Sequence, residues 1–198
     1  MHCSSFEQNY YAGGFNRAVF FITPQTTMIT IREEQHQDIH PIREVNIQAF
    51  GQNQEADLVD KIRRSCKDLI SLVAIVQNTI VGHIFFSPVT IESIAKKTIR
   101  GMGLAPMAVL PAFQRQEVGT ELVRDGIAQV RKKGFPFIIV LGHASYYPRF
   151  GFEPASHYSI RCEWDVPDTA FMILLLNKSQ MRESAGLARY LPEFAEAM

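Results

Sequence analysis

One stretch of the sequence, residues 109–123, combines features that bind anions in proteins. An apolar segment ends at Leu110, a proline follows, and a polar loop leads into a helix-like pattern near Glu117. The first N–H groups of a helix have no acceptor within the helix, and the helix dipole adds partial positive charge there. A loop that carries Arg115 and Gly119 into such an end can therefore hold a phosphate or carboxylate. An ordinary strand–loop–helix connection has the same pattern, so this stretch alone leaves both interpretations open.

Hydrophobic periodicity predicts the elements that would position this stretch. Apolar runs and alternating patterns predict strands over residues 28–32, 70–76, 80–86, 98–109, 137–141, 158–162 and 170–176. Helical spacing predicts helices over residues 35–50, from about residue 54, and over residues 117–133, with a helical turn over 144–149 and a terminal helix over 187–197.

The order of these elements indicates an α+β fold in three layers, a mixed and mostly antiparallel sheet with helices on both faces. The helix over 117–133 lies between two apolar strands, and a connection of that kind makes the strands parallel. Pro106 lies inside the first of these strands, where proline requires a bulge, an edge or a break in pairing. Ligand crevices form where neighbouring strands diverge in this way, so the parallel pair is expected to open one.

Composition excludes several classes of function. The 198 residues include 20 basic and 20 acidic side chains, so no overall field draws the chain to nucleic acid or to a membrane surface. No apolar run approaches the roughly 20 residues of a membrane span. Cys3, Cys66 and Cys162 are widely spaced and lack the pattern of a zinc site, which indicates reduced thiols, no metal and a cytoplasmic location.

Residues 1–27 differ from the rest of the chain because they show no sustained period. They mix Ser, Asn, Gln and Gly with aromatic residues, which is typical of a poorly ordered extension. A second interpretation is that the native chain starts at Met28 and that this segment is not native. Residues 28–198 are expected to form one domain, since no linker divides them. The chain is expected to be a monomer or a homodimer.

Two motifs lie next to the predicted parallel strands. Residues 114–120 read Gln-Arg-Gln-Glu-Val-Gly-Thr and follow the strand over 98–109, and residues 147–152 read Tyr-Pro-Arg-Phe-Gly-Phe and follow the next strand. Together they resemble the GNAT superfamily of acetyl-CoA-dependent N-acetyltransferases, whose acyl-CoA motif, Q/R-x-x-G-x-G/A, precedes a Tyr-x-x-x-Gly-Phe element. The second motif, with the Leu-Gly-His-Ala-Ser-Tyr residues before it, is similar in particular to the YhbS-like branch. The resemblance covers residues 28–198, and the order of elements agrees with it.

The resemblance implies that the chain transfers an acetyl group from acetyl-CoA to a primary amine of a small molecule or protein, without a metal. The backbone of Met107, Ala108 and Val109 would pair with the pantetheine arm, as a peptide adds to a sheet edge. The Arg115 side chain would add a charge-assisted hydrogen bond to a phosphate oxygen. The residues implied to wrap the pyrophosphate, mainly through N–H groups, are Gln114, Arg115, Gln116, Glu117, Val118, Gly119 and Thr120.

Tyr147 occupies the tyrosine position of the second motif, where the resemblance implies a general acid. Its hydroxyl would protonate, or hydrogen-bond, the CoA thiolate that leaves when an amine attacks the thioester. A packed aromatic ring with a hydrogen-bonded hydroxyl is the structural alternative. Tyr146 is the substitute for the same catalytic role.

The general base is not defined by these motifs. Many relatives carry a carboxylate on the strand before the acyl-CoA motif, but residues 98–109 contain neither Asp nor Glu. A water relay, or an amine that arrives neutral, would serve instead. His143 and His83 are candidates because imidazole titrates near neutrality, although a structural role is the simpler interpretation of each. By family geometry, contacts to the acceptor would come from residues 50–55 and 163–168.

Glu117 departs from the family pattern because it occupies the place of the motif's first glycine. That glycine lets the backbone approach the pyrophosphate, whereas a carboxylate adds bulk and like charge. A carboxylate in solvent would cost little, but one that faces the phosphates would weaken CoA binding by about tenfold or more. The departure supports an alternative function, a GNAT-fold CoA-binding or regulatory module with weak or no catalysis.

Overall fold

A mixed β-sheet forms the centre of the chain, and the computed structural model describes residues 28–196. The strands in these residues are β1 Thr30–Glu33, β2 Ile70–Val76, β3 Thr79–Ser93, β4 Thr98–Val109, β5 Phe137–Leu141, β6 Glu153–Pro154, β7 Ile160–Cys162, β8 Phe171–Leu175 and β9 Gly186–Arg189. The α-helices are α1 Ile39–Phe50, α2 Gln54–Ser65 and α3 Val118–Lys132. The expected N-terminal extension, residues 1–27, lies outside the described residues, so it and the domain boundary at residue 28 stay predictions.

The sheet topology confirms the predicted α+β class. Strands β1 to β4 form an antiparallel meander, β4 pairs with β5 in parallel, and β8 and β6 continue the sheet in antiparallel order. Strand β9 pairs with β3 and with β7. Helix α3 connects β4 to β5, which is the crossover connection that the sequence predicts.

Helices α3 and α2 cover opposite faces of the sheet. Ile84 and Phe86 pack in one core cluster with the apolar side of α3, whereas Phe85, between them, packs with α2. Neighbouring residues of a strand point to opposite faces, so these contacts place the two helices on opposite sides. The buried apolar residues of α3 follow the spacing of one helical face: Val118, Leu122, Val123, Ile127 and Val130.

Strand β4 leaves its regular pairing at Pro106, as the sequence predicts. The β3–β4 register shifts between Ile84 and Phe86, opposite Pro106, so the strand bulges there. Pairing of β4 with β5 covers only residues 102–104 of β4, although β4 itself runs on to Val109. The two parallel strands therefore diverge beyond residue 104, and the far half of β4 has one edge without a strand.

The end of the chain differs from its prediction. Helical spacing predicts a helix over residues 187–197, but Gly186–Arg189 forms β9 and Pro192–Glu196 forms a short 3₁₀ helix. Strand β3 is longer than predicted, reaching Ser93 instead of ending near residue 86, and its added length pairs with β9. Because this pairing forms between distant parts of the chain, it overrides the local helical preference.

Candidate active site

The gap between β4 and β5 opens a cleft of about 780 Å³. Ala108 and Val118 are each 2% exposed, so neither presents its side chain to the cleft. Ala108 pairs with His83 of β3. Gln116 donates from its side chain to the Ala112 carbonyl at 2.8 Å. The remaining eight of the eleven predicted site residues line the cleft: Met107, Val109, Gln114, Arg115, Glu117, Gly119, Thr120 and Tyr147.

The open edge of β4 faces this cleft. The Leu110 N–H donates to the Val81 carbonyl at 2.9 Å, which directs the backbone groups of Leu110 toward β3. Backbone direction alternates along a strand, so the N–H and C=O groups of Met107 and Val109 point away from β3 and into the gap. The Val109 carbonyl accepts a hydrogen bond from Gln114 Nε2 at 3.1 Å. An extended ligand arm could therefore pair with β4 at the positions that β5 has left.

The loop before α3 presents backbone N–H groups beside this edge. Arg115 and Glu117 both have left-handed backbone, with φ of 59° and 64°. Helix α3 begins at Val118, and the Glu117 side chain makes no capping hydrogen bond. In the part of the chain that the structure describes, the N–H groups of residues 115–120 have no backbone acceptor. They are thus available to an anion, as at helix N-termini in general.

A polar cluster of Thr120, Tyr146 and Arg149 lies at the same helix end, and no local sequence pattern predicts that these three side chains meet. Arg149 donates to Thr120 Oγ1, and its guanidinium carbon lies 4.3 Å from the centre of the Tyr146 ring. Burial raises the pKa of Tyr146, while Arg149 and Thr120 act in the opposite direction. At Gly119, beside the cluster, a Cβ atom would lie 2.8 Å from the Tyr146 hydroxyl, so a larger residue there would displace that hydroxyl. Arg149 therefore adds a second cation, besides Arg115, to the walls of the cleft.

Tyr147 lines the cleft with 6% of its surface exposed. Its ring packs on Gly142, where a Cβ atom would lie 2.4 Å from Cε2, and edge-on against Tyr146 and Phe152. Burial raises the pKa of the Tyr147 hydroxyl, and the neighbouring Tyr146 adds to the rise. Among the described residues, no group hydrogen-bonds this hydroxyl. The hydroxyl is therefore protonated at neutral pH and able to donate a proton or a hydrogen bond.

The two candidate histidines lie in different surroundings. His143 lines the cleft and is exposed, so it stays a candidate base. His83 is fully buried, with Nδ1 3.1 Å from Asn46 Nδ2 and Nε2 3.0 Å from Ser71 Oγ. Burial lowers the pKa of His83 to about 3, and the charge of Arg63 contributes to the same shift. The geometry therefore favours the structural role for His83.

The surroundings of His83 predict a loss of stability in acid. Between its unfolded pKa of 6.5 and its folded pKa of about 3, the unfolded state binds one more proton than the folded state. The free energy of unfolding should thus fall as the pH drops, by about 2 kcal/mol from this group between about pH 7 and 5. Urea unfolding at both pH values should show that His83→Gln loses less stability than the wild type. The exposed control His40→Gln should lose as much as the wild type, and equal losses in all three proteins would contradict the prediction.

The α2 side of the cleft contains both segments that were expected to contact the acceptor. Phe50 and Glu55 come from the first segment and Trp164 from the second, and all three line the cleft. Tyr190 and Phe194 also line it. These two residues escaped prediction because their part of the chain was assigned to a helix instead of to β9 and the 3₁₀ helix after it.

The described residues show neither a metal-binding group nor a membrane span. Residues 28–196 hold no set of three or more His, Cys, Asp or Glu side chains placed to bind a metal ion. Over the same residues, no helix has the length and hydrophobicity needed to cross a membrane. Cys66 and Cys162 are free thiols.

Comparison with known protein sequences identifies relatives over most of the described chain. The family model of the acetyltransferase (GNAT) domain matches residues 30–155. The uncharacterized N-acetyltransferase YhbS of Escherichia coli (strain K12) is 30% identical over 147 residues, which are 74% of this chain and 86% of YhbS. The uncharacterized N-acetyltransferase YjhQ of the same strain is 42% identical over 121 residues, or 60% of this chain. That match spans 66% of YjhQ, just under two thirds of its length.

Solved structures agree with this result. The crystal structure of YhbS from Escherichia coli in complex with CoA superposes with a TM-score of 0.79 at 29% identity, covering 85% of this chain and 93% of that one. A GNAT family acetyltransferase from Brucella melitensis in complex with acetyl-CoA gives a TM-score of 0.66 at 32% identity, covering 85% and 99%. The divergent β4–β5 pair, the two motifs and these matches lead to one assignment. The chain belongs to the GNAT superfamily of N-acetyltransferases, in its YhbS-like branch.

Proposed function

We propose that the chain transfers an acetyl group from acetyl-CoA to a primary amine of a small molecule or a protein. The observation that carries the proposal is the β4–β5 cleft, which joins N–H groups at the start of α3 to the protonated hydroxyl of Tyr147. CoA and acetyl-CoA in the related YhbS and Brucella melitensis structures support it. A cytoplasmic location and a monomeric or homodimeric state stay predictions from the sequence.

The cofactor would follow the walls of the cleft. Its pantetheine arm would pair with the free backbone groups of Met107 and Val109, after Gln114 releases the Val109 carbonyl. The pyrophosphate would lie against the N–H groups of residues 115–120. Arg115 and Arg149, which both line the cleft, would supply the positive charge that a pyrophosphate needs.

The chemistry then needs one attack and two proton movements. A neutral amine nitrogen attacks the thioester carbon, a C–N bond forms, and the C–S bond breaks. The CoA sulfur takes its proton from the Tyr147 hydroxyl, while the nitrogen gives up a proton to water or to His143. Proton return to the tyrosine restores the starting state. Burial raises the pKa of Tyr147, so the hydroxyl still carries its proton when the thiolate forms. The same rise makes it a weaker acid, so the thiolate must draw the proton through a hydrogen bond.

A panel of amines tests the proposed function. Acetyl-CoA binding is measured by calorimetry, and thiol release is followed with 2-phenylethylamine, spermidine, kanamycin and a lysine-containing peptide. We expect acetyl-CoA binding and thiol release with at least one amine. Binding without release from any amine would favour the regulatory or CoA-binding module instead, which the exposed Glu117 in the cleft wall also supports.

Arg149→Gln is expected to weaken CoA binding by about fivefold, because it removes a partly solvated cation from the phosphate end of the cleft. Calorimetric titration with CoA measures the change in Kd. Arg161→Gln is the matched control, since Arg161 is exposed and lies outside the cleft lining. An unchanged Kd in Arg149→Gln would show that its guanidinium only supports the Tyr146 ring.

A further inference from the structure

The cleft has an apolar wall on its α2 side, formed by Phe50, Leu58, Trp164, Tyr190 and Phe194. The Trp164 and Tyr190 rings lie 4.9 Å apart between centroids, and the Tyr190 and Phe194 rings 5.2 Å apart. These rings pack in the same core cluster as Leu58 of α2. The α3 side, by contrast, carries Arg115 and Arg149. The two walls therefore suit ligands of different chemistry, an anion on one side and an apolar group on the other.

Glu55 is placed to receive a cation at this wall. Among the described residues that line the cleft, Glu55 is the one carboxylate on the α2 side. Its two oxygens accept hydrogen bonds from Gln52 Nε2 at 3.0 and 3.2 Å. No described cation pairs with it. The next carboxylates of α2 are already occupied, since Asp57 pairs with Arg43 at 2.7 Å and Asp60 pairs with the same arginine at 2.9 Å. Glu55 is thus the α2 carboxylate with capacity for an incoming ammonium group.

Phe50 extends the wall to the mouth of the cleft. Its side chain is 41% exposed, which makes it one of three exposed large hydrophobic residues in the described chain. Exposed apolar surface at the mouth of a binding cleft favours a ligand with an apolar body. Aromatic faces also attract cations, so the rings and the carboxylate favour the same ammonium group. A polyamine or aminoglycoside would need several carboxylates, and this wall offers one.

We propose that the acetyl acceptor is a primary amine carried on an aromatic or similar apolar group, with its body on the apolar wall and its ammonium group at Glu55. This inference rests on the proposed acetyl transfer, and it adds the class of substrate. Glu55 holds the charged form of the amine as it arrives, and the ammonium group then loses one proton to water to give the neutral amine that attacks the thioester. The gap between β4 and β5 then separates the amine from the cofactor phosphates, which lie on the α3 side.

Binding is tested without turnover through Trp164, the only tryptophan in the sequence. Fluorescence of the wild-type protein, saturated with CoA, is titrated with 2-phenylethylamine, with the neutral analogue 2-phenylethanol and with ethylamine. We expect a Kd for 2-phenylethylamine that is lower by about tenfold or more than that of either analogue, because only this compound offers both the ring and the charge. Equal responses to the three compounds, or none, would overturn the proposed substrate class.

Two variants test separately how the apolar wall binds the ring of the substrate and how Glu55 binds its ammonium group. Phe50→Ala is expected to raise the KM for 2-phenylethylamine by about fivefold and Glu55→Gln by about tenfold, with the KM for acetyl-CoA unchanged in both. Ile94→Ala is the control for the first, because Ile94 is 81% exposed and lies outside the cleft lining. Asp125→Asn, an exposed carboxylate on α3, is the control for the second. Unchanged KM values in both test variants would overturn the assignment of this wall.

The outcomes distinguish this inference from the proposed function. Faster acetylation of spermidine, kanamycin or the lysine peptide would overturn the aromatic amine class and leave the transferase function intact. Binding of 2-phenylethylamine at Trp164 without thiol release would overturn the transferase function and support an amine-binding site in a regulatory module.

Discussion

Tyr147→Phe is expected to lower kcat by about a hundredfold, because it removes the proton donor to the leaving CoA sulfur and little else. The phenylalanine ring keeps the contacts with Gly142, Tyr146 and Phe152. The Kd for acetyl-CoA should therefore change by less than about twofold, since the hydroxyl acts on a charge that forms only during reaction. Thiol release with the best amine of the panel gives kcat, and calorimetry gives the Kd.

Two further tyrosine variants are controls for this result. Tyr146→Phe should weaken CoA binding rather than slow turnover, because the Tyr146 hydroxyl interacts with Thr120 and Arg149 at the phosphate end. Tyr158→Phe loses a bond to Glu153 far from the cleft and should change neither quantity. Because burial raises the pKa of Tyr147, wild-type kcat should not fall as the pH approaches 10, the ordinary tyrosine value. Full turnover in Tyr147→Phe would exclude the general-acid role.

Glu117→Gly is expected to tighten CoA binding by about tenfold or more. Glu117 has a φ of 64°, a conformation that glycine adopts without strain, and its side chain lines the cleft. Its charge also acts on the pKa of Tyr146, so the carboxylate lies near the polar cluster at the start of α3. Removing it relieves repulsion with the phosphates and lets the backbone approach them. Calorimetric titration with CoA tests the change.

Glu117→Gln separates the effect of the negative charge from the effect of the closer backbone approach that glycine allows. It keeps a side chain in the left-handed position but removes the negative charge, so it should recover only the electrostatic part of the gain. That part should shrink as the salt concentration rises, because salt screens exposed charges. The difference between Glu117→Gly and Glu117→Gln should be insensitive to salt. An unchanged affinity in Glu117→Gly would show that the side chain avoids the phosphates when CoA binds.

Local sequence patterns were sufficient to predict the unit that builds the cleft. The strands Thr98–Val109 and Phe137–Leu141 have the predicted limits, and α3 differs from its prediction by one residue at each end. Their apolar spacing repeats over short distances, so it can be recognised without knowledge of the partners. Pro106 also predicted the place where pairing fails, because proline lacks the N–H group that a sheet requires.

Strand β3 shows where local patterns fail. Its apolar pattern predicts an end near residue 86, but β3 continues through Pro88 to Ser93. Pairing with β2 ends at Phe86 and pairing with β9 begins at Thr90, so one edge of β3 has no partner strand at Pro88. The missing N–H group costs little at such a position. Only the assembled sheet reveals this gap.

The candidate site was predictable where a motif named it and not where distant segments meet. Arg149 lies in the Tyr-Pro-Arg-Phe-Gly-Phe motif, but its contact with Thr120 depends on how the 3₁₀ helix Tyr147–Phe150 packs on α3. A cation inside a recognised motif was the signal that could have identified it. The apolar wall is harder to predict from the sequence, because Tyr190 and Phe194 reach the cleft only through the pairing of β3 with β9.

The short contact between β4 and β5 also links cofactor supply to the lifetime of the protein. Only three residue pairs join these strands, and a pantetheine arm paired with Met107 and Val109 would add hydrogen bonds along the same edge of β4. A ligand that binds only the folded chain stabilises it by about 2.7 kcal/mol at a concentration of about a hundred times its Kd. Cells short of both CoA and acetyl-CoA would then hold more of this protein in opened forms that proteases cleave. Its abundance should therefore follow the total supply of CoA in the cell, even at a constant rate of synthesis.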